Sequence, residues 1–231
     1  MIKSFLIITS FSILLFSSEQ ILLVVADDFN SSTATMECFE DDKLVCSDIK
    51  VNLGKNGLGW GVGTKNIPHN KNEPIKHEGD KRAPAGVFKL TNIFGYAKRS
   101  EYSLPYLYTS KELICVDDSN SNFYNQIIQA QGNEKSFEFM RREDEQYRVG
   151  IVVQHNKEAI PQRGSCIFIH VQKGENQGTA GCTSMKYENI KEIASWLDRE
   201  KNPLLIQIPK KYASEVLKLY PKLHASQLLQ K

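Results

Sequence analysis

IFIHVQKGENQGTAGCTSM, residues 167–185, carries the reading of this chain. Ile167 to His170 is an apolar, β-branched run that ends on a histidine, the composition of a core strand. The segment behind it is rich in glycine and threonine and ends at Cys182. A cysteine attacks as its thiolate, and a histidine within reach takes or balances the proton. Residues 171–181 are long enough to fold back and bring His170 and Cys182 together, and Gly181 allows a close backbone approach. The backbone N–H groups of Gly181, Cys182 and Thr183 would then suit the oxyanion of an attacked carbonyl. The competing reading is a satisfied core histidine and a small buried thiol. Spacing alone does not separate the two.

Outward from this stretch the pattern is mostly β. YRVGIVVQHN, from Tyr147, and SCIFIHV read as two adjacent core strands joined by the turn-rich KEAIPQRG. Towards the C-terminus, Ile190, Ile193, Ala194 and Leu197 recur at helical spacing within Tyr187–Glu200, which predicts a helix directly behind the Cys182 loop. LLIQIP, residues 204–209, returns as a strand, and a basic helix is expected from Lys210 to about Leu223. Upstream, QILLVVA, TATMECF and KLVCSDIKVNLG predict strands and hairpins leading to the glycine-dense GKNGLGWGVG. Residues 64–86 read as an irregular connection that runs into a short strand at Val87–Leu90. Residues 100–146 are polar and mixed, without a clear period.

The 231 residues are 41% hydrophobic and 24% charged, with 29 basic against 27 acidic side chains for a net charge of +2. This is a globular composition with one core, and nothing in it gathers nucleic acid or a membrane surface. Met1-Ile2-Lys3 followed by the apolar Phe5–Phe16 has the form of a secretory leader and is short for a membrane span. The expected organisation is a signal peptide over 1–18, which could extend to 26, a catalytic domain over 19–209 and a basic tail over 210–231. The favoured early cut keeps QILLVVA as the first strand, and an uncleaved leader would be the one route to a membrane. Five cysteines in an exported chain leave at least one thiol over. Cys38 and Cys46 flank a predicted hairpin tip and suit a cross-strand disulfide, whereas Cys115 and Cys166 read equally as buried thiols. His155, His69 and His77 are weaker site candidates. No histidine–cysteine spacing makes a zinc site, and no phosphate or dinucleotide loop occurs, so neither metal nor cofactor is expected. Oligomeric state is not encoded legibly.

Taken together, GSCIFIH, TAGCTSM, a helix ending in WLD and NPLLIQIP resemble the catalytic core of the L,D-transpeptidase (YkuD-like) family. Its signature is a histidine closing a strand, then serine or threonine, any residue, glycine and the nucleophilic cysteine. GDKRAPAGVFKLTNIFGYA is similar to the family's TP-x-G-x-F segment, with Ala83 in place of threonine and Pro84, Gly86 and Phe88 retained. NGLGWGVG resembles the family's first glycine-rich strand pair, so the likeness covers most of residues 20–209. It implies a mainly β, α+β fold with a mixed sheet or sandwich. It also implies Cys182 as nucleophile, His170 as base, a carbonyl near Val171 holding the imidazole, and Thr179 and Gly181 shaping the loop, with the Gly181–Cys182–Thr183 amides as oxyanion hole. The implied substrate is a peptidoglycan stem peptide, cut between its third and fourth residues in the cell envelope, with transfer to an amine or to water. Transfer to water would make the same site an L,D-carboxypeptidase or amidase, and Val171 in place of a common glycine with Ser184 in place of a common arginine leaves open a non-catalytic wall-binding protein.

Overall fold

The computed structural model describes residues 18–230, so the leader lies outside the described residues except for Ser18. Thirteen strands and two α-helices follow in chain order: β1 (Gln20–Ala26), β2 (Thr33–Glu40), β3 (Lys43–Asn52), β4 (Leu58–Trp60), β5 (Ala83–Gly95), β6 (Tyr106–Tyr108), β7 (Leu113–Val116), β8 (Ile127–Gln129), β9 (Phe137–Phe139), β10 (Val149–Val153), β11 (Phe168–Val171), β12 (Thr183–Met185), α1 (Tyr187–Trp196), β13 (Leu204–Pro209) and α2 (Ala213–Leu219). The chain is mainly β, as the alternating runs require.

QILLVVA forms β1, buried along its whole length between antiparallel β2 and parallel β13. The large sheet runs β4–β5–β13–β1–β2–β3–β12–β11–β10, and β10 returns to pair with β5. The long β5 makes this closure: residues 86–89 pair with β13 and residues 90–95 with β10. The sheet thereby becomes barrel-like, without free edges around its core. Period-2 alternation then sorts side chains into two clusters. Ile93, Ile151, Ile167 and Ile169 face the interior. Phe94, Phe168, Tyr147 and Cys182 face outward, beneath a small cap sheet ordered β8–β7–β9.

Several expectations change. The short strand at Val87–Leu90 is the middle of a much longer β5, because its outward Lys89, Thr91 and Asn92 mask the run. The Cys182 loop leads into β12, and α1 starts only at Tyr187 and stops at Trp196, where Leu197 turns extended. The tail helix is broken: a 3-10 turn at Lys210–Tyr212 precedes α2, and Pro221 starts another turn, since proline cannot continue a helix interior. Tyr212, Val216, Tyr220 and Leu223 of this tail bury themselves in the main core. Cys38 and Cys46 are directly paired across β2–β3 and form a disulfide. Cys115 and Cys166 are also disulfide-bonded, Cα–Cα 6.0 Å, which corrects their reading as buried thiols. Their separation of 51 residues hid a pairing that only the docking of the cap on the barrel creates. Among the described residues Cys182 is the free cysteine.

Candidate functional site

Parallel pairing of β11 with β12 sets Ile169 opposite Thr183 and His170 opposite Ser184. Cys182 therefore falls level with Phe168. Because alternate residues share a face, Phe168, His170 and Cys182 all turn outward, and the Phe168 N–H reaches the Cys182 Sγ at 3.4 Å. The connection between the strands is held to the exit of β3: Thr179 N–H donates to the Leu53 carbonyl, and Lys55 N–H to that of Thr179. The Thr179 hydroxyl donates to the Cys182 carbonyl at 2.6 Å and accepts the Gly181 N–H at 3.1 Å. Gly181 has φ +154, and a Cβ there would stand 3.1 Å from the Arg82 carbonyl, so the approach to Cys182 needs glycine. Thr183 points inward, its hydroxyl on Gln207, which also bonds the Pro84 carbonyl. This ties the base of the loop to β13 and β5.

His170 is buried, and its Nδ1 lies 2.9 Å from the Val171 carbonyl. A carbonyl only accepts, so Nδ1 carries the proton and Nε2 keeps its lone pair. Nε2 has no hydrogen bond among the described residues. Val171 continues the extended strand opposite Met185, a setting that accommodates valine where many family members carry glycine. The ring packs edge-on to Tyr147, 5.2 Å between centroids, and Tyr147 packs in turn on Phe94 and Phe168. Phe94 lies across Gly150, where a Cβ would meet its ring at 2.1 Å. Burial lowers the His170 pKa to about 4, against the raising effect of the Val171 carbonyl.

The Cys182 thiol sits between the Phe168 N–H and the Cys166 carbonyl, the latter 3.5 Å from Sγ. Burial pushes it up to about 12, Glu138 adding to the rise and the Phe168 N–H opposing it. The resting pair is therefore neutral thiol and neutral imidazole. Among the three amides of the expected oxyanion hole, Gly181 N–H is turned onto Thr179. The Cys182 N–H makes no hydrogen bond among the described residues.

His170, Cys182, Thr179 and Gly181 line one cleft of about 300 Å³, together with groups that sequence reading missed: Lys76, Glu78, Glu138, Arg142 and Tyr147. Lys76 is buried and committed to Asp80 and the His77 carbonyl, each at 2.6 Å. Arg142 holds Asp144 through two nitrogens and lies over the Tyr147 ring. Charged and aromatic residues crowded into FEFMRREDEQYR (137–148) were the available signal, without a period to orient them. Ser184 is buried beside Asn52, so the cleft's cations come from Lys76 and Arg142 instead of the expected arginine. His69 stacks on Trp60, and His155 is held at both ring nitrogens by Val62 N–H and the Arg163 carbonyl. Cys115, Cys166 and Glu138 bring possible ligand atoms within 4.8 Å. Both sulfurs are bound in the disulfide, which leaves one carboxylate and no metal-ligand set.

No helix among the described residues is long and apolar enough to cross a membrane. No curated protein and no solved structure matches the chain. The sequence model of the L,D-transpeptidase catalytic domain, YkuD, matches residues 24–206, which run from within β1 to within β13 and include every residue lining the cleft, and the chain belongs to that family.

Proposed function

We propose that this chain is an exported L,D-transpeptidase that forms a thioester on Cys182 from a peptidoglycan stem peptide. The observation that carries the reading is the shared outward face of β11 and β12, where an uncommitted imidazole nitrogen and a free thiol line one cleft. His170 Nε2 takes the Cys182 proton, and the thiolate adds to the carbonyl of the third stem residue. The Cys182 N–H steadies the oxyanion. The imidazolium then gives its proton to the departing D-alanine nitrogen as the C–N bond breaks, leaving a thioester and neutral His170. An amine or water releases the acyl group. Burial disfavours isolated charges here, so the thiolate and imidazolium form only as a mutually neutralising pair once substrate excludes water. Thr179 holds the loop, and Val171 holds the imidazole tautomer.

Export rests on the leader pattern. A cut near Ser18 keeps β1, whereas one after Ala26 discards five buried Ile, Leu and Val side chains, each worth about 1.5–3 kcal/mol. Mass spectrometry of purified sacculi treated with the wild-type chain and with Cys182→Ala tests the activity. New cross-links, or tetrapeptides shortened to tripeptides, are expected with wild type alone. A Cys182→Ala variant that changes the muropeptides equally removes the mechanism. The raised thiol and the missing arginine favour one other reading, a wall-binding protein with an idle site. In that case a thiol-reactive peptide would label Cys182 no faster than it labels the denatured chain.

A further inference from the structure

Glu138 stands on β9, at the edge of the cap sheet, in the wall of the cleft that holds His170 and Cys182. Its Oε2 accepts the Tyr147 hydroxyl at 2.9 Å, and the same Tyr147 ring lies edge-on to His170. A Glu138 carboxylate oxygen comes within 4.8 Å of the Cys166 sulfur, and the Cys166 carbonyl receives the Cys182 thiol. The carboxylate is thus one residue removed from the nucleophile. The cations around it are committed elsewhere, Lys76 to Asp80 and Arg142 to Asp144. Asp117 and Glu78 line the same cleft; Asp117 Oδ1 is shut off from solvent without a hydrogen-bond partner, and Glu78 accepts from Tyr124 and Ser165.

An anion beside a thiol opposes its ionisation, so the first half-reaction gains nothing from Glu138. The second differs: a neutral thioester awaits an acceptor, and an amine arrives in water as an ammonium. We propose that Glu138 is the residue that selects the acyl acceptor, docking an ammonium beside the Cys182 thioester so that transfer to an amine outruns hydrolysis. The inference rests on the transpeptidase reading above. The docked ammonium gives one proton to the Glu138 carboxylate, and the free amine forms a C–N bond to the thioester carbonyl. His170 Nε2 removes the second proton. The C–S bond breaks, its electron pair goes to Sγ, and the thiolate recovers the proton held by His170, while Glu138 returns its own to solvent. Burial raises the Glu138 carboxyl to about 7, which suits this exchange near neutrality.

The test uses the full chain with a tetrapeptide stem as donor and, as acceptor, the same stem with its distal amine either free or acetylated. Products are read by mass spectrometry, and thiol reactivity by iodoacetamide labelling of Cys182. Glu138→Gln keeps an acceptor for the Tyr147 hydroxyl and removes the charge. The expected result is a fall of about tenfold in the ratio of cross-linked to hydrolysed product, a raised KM for the amine and faster labelling of Cys182. The acetylated acceptor gives hydrolysis alone with both proteins. An unchanged ratio in Glu138→Gln overturns the assignment, as does parallel slowing of labelling and of both products, the mark of a purely structural residue. A wild-type chain that never acquires the acyl group overturns the transpeptidase reading itself, and this inference with it.

Discussion

His155 and His170 occupy comparable places: one lies just beyond the end of β10, the other within the neighbouring β11. Both are almost wholly buried, and burial pulls both down to about 4. Each also holds a backbone carbonyl through one ring nitrogen. They part at the second nitrogen. In His155 the Nδ1 accepts the Val62 N–H at 3.3 Å, so the ring is a staple between β10 and the glycine-rich strand exit. In His170 the second nitrogen opens into the cleft of Cys182. A depressed pKa therefore does not separate the two rings; what separates them is the lone pair that His170 leaves uncommitted in the cleft it shares with Cys182.

The same substitution at both sites should have opposite consequences. His170→Leu is expected to lower acyl transfer by at least about 10³-fold, while losing about 1 kcal/mol or less of stability with its single hydrogen bond. His155→Leu is expected to lower stability by about 2–4 kcal/mol, because it strands a donor and an acceptor, with turnover per folded molecule kept. Urea unfolding beside a D-alanine release assay checks both. A His155→Leu chain that is folded and inactive would break the comparison.

Acid sharpens it. A histidine whose pKa is lower in the folded chain makes stability fall as pH drops from 6.5 through about 4, by about 3 kcal/mol for each relative to neutral pH. Glu138 acts in the opposite sense: its folded pKa of about 7 lies above the ordinary 4.5, so its contribution is full below 4.5 and lost as pH rises through 7. Denaturation between pH 7 and 4 should accordingly be shallower in either histidine variant and steeper in Glu138→Gln. The smallest effect concerns the support of His170. Gly150→Ala should displace the Phe94 ring and cost about 1–3 kcal/mol through overpacking, with a modest loss of activity as Tyr147 shifts behind the imidazole.

Much of the barrel was legible because its strands are β-branched and alternate. QILLVVA, the adjacency of β10 and β11, and LLIQIP all stood out, and Ile190, Ile193, Ala194 and Leu197 marked the buried face of α1 and its end. The cap was not legible: β7, β8 and β9 are three or four residues long, too short for a period to rise above their polar surroundings. His170 and Cys182 were put forward as a pair by the resemblance of GSCIFIH and TAGCTSM to the family signature, because their spacing alone left a core histidine and an idle thiol equally open. His155 read as the weaker candidate for want of a cysteine loop behind it, but its role as a staple was hidden, since its partners, Val62 and Arg163, come from separate loops. Lys76 and Glu138 were missed for a related reason: a charged residue in a charged segment reads as solvated until the fold closes around it.

In the proposed reaction Cys182 carries the acyl group, and intact-protein mass spectrometry within seconds of mixing with a tetrapeptide stem reads that adduct. The wild-type chain is expected to gain the mass of the tripeptide acyl group on Cys182, with D-alanine released. Cys182→Ala is expected to give no adduct and an uncut peptide. Acylation of any other residue, or cleavage of the stem by Cys182→Ala, would contradict that reaction.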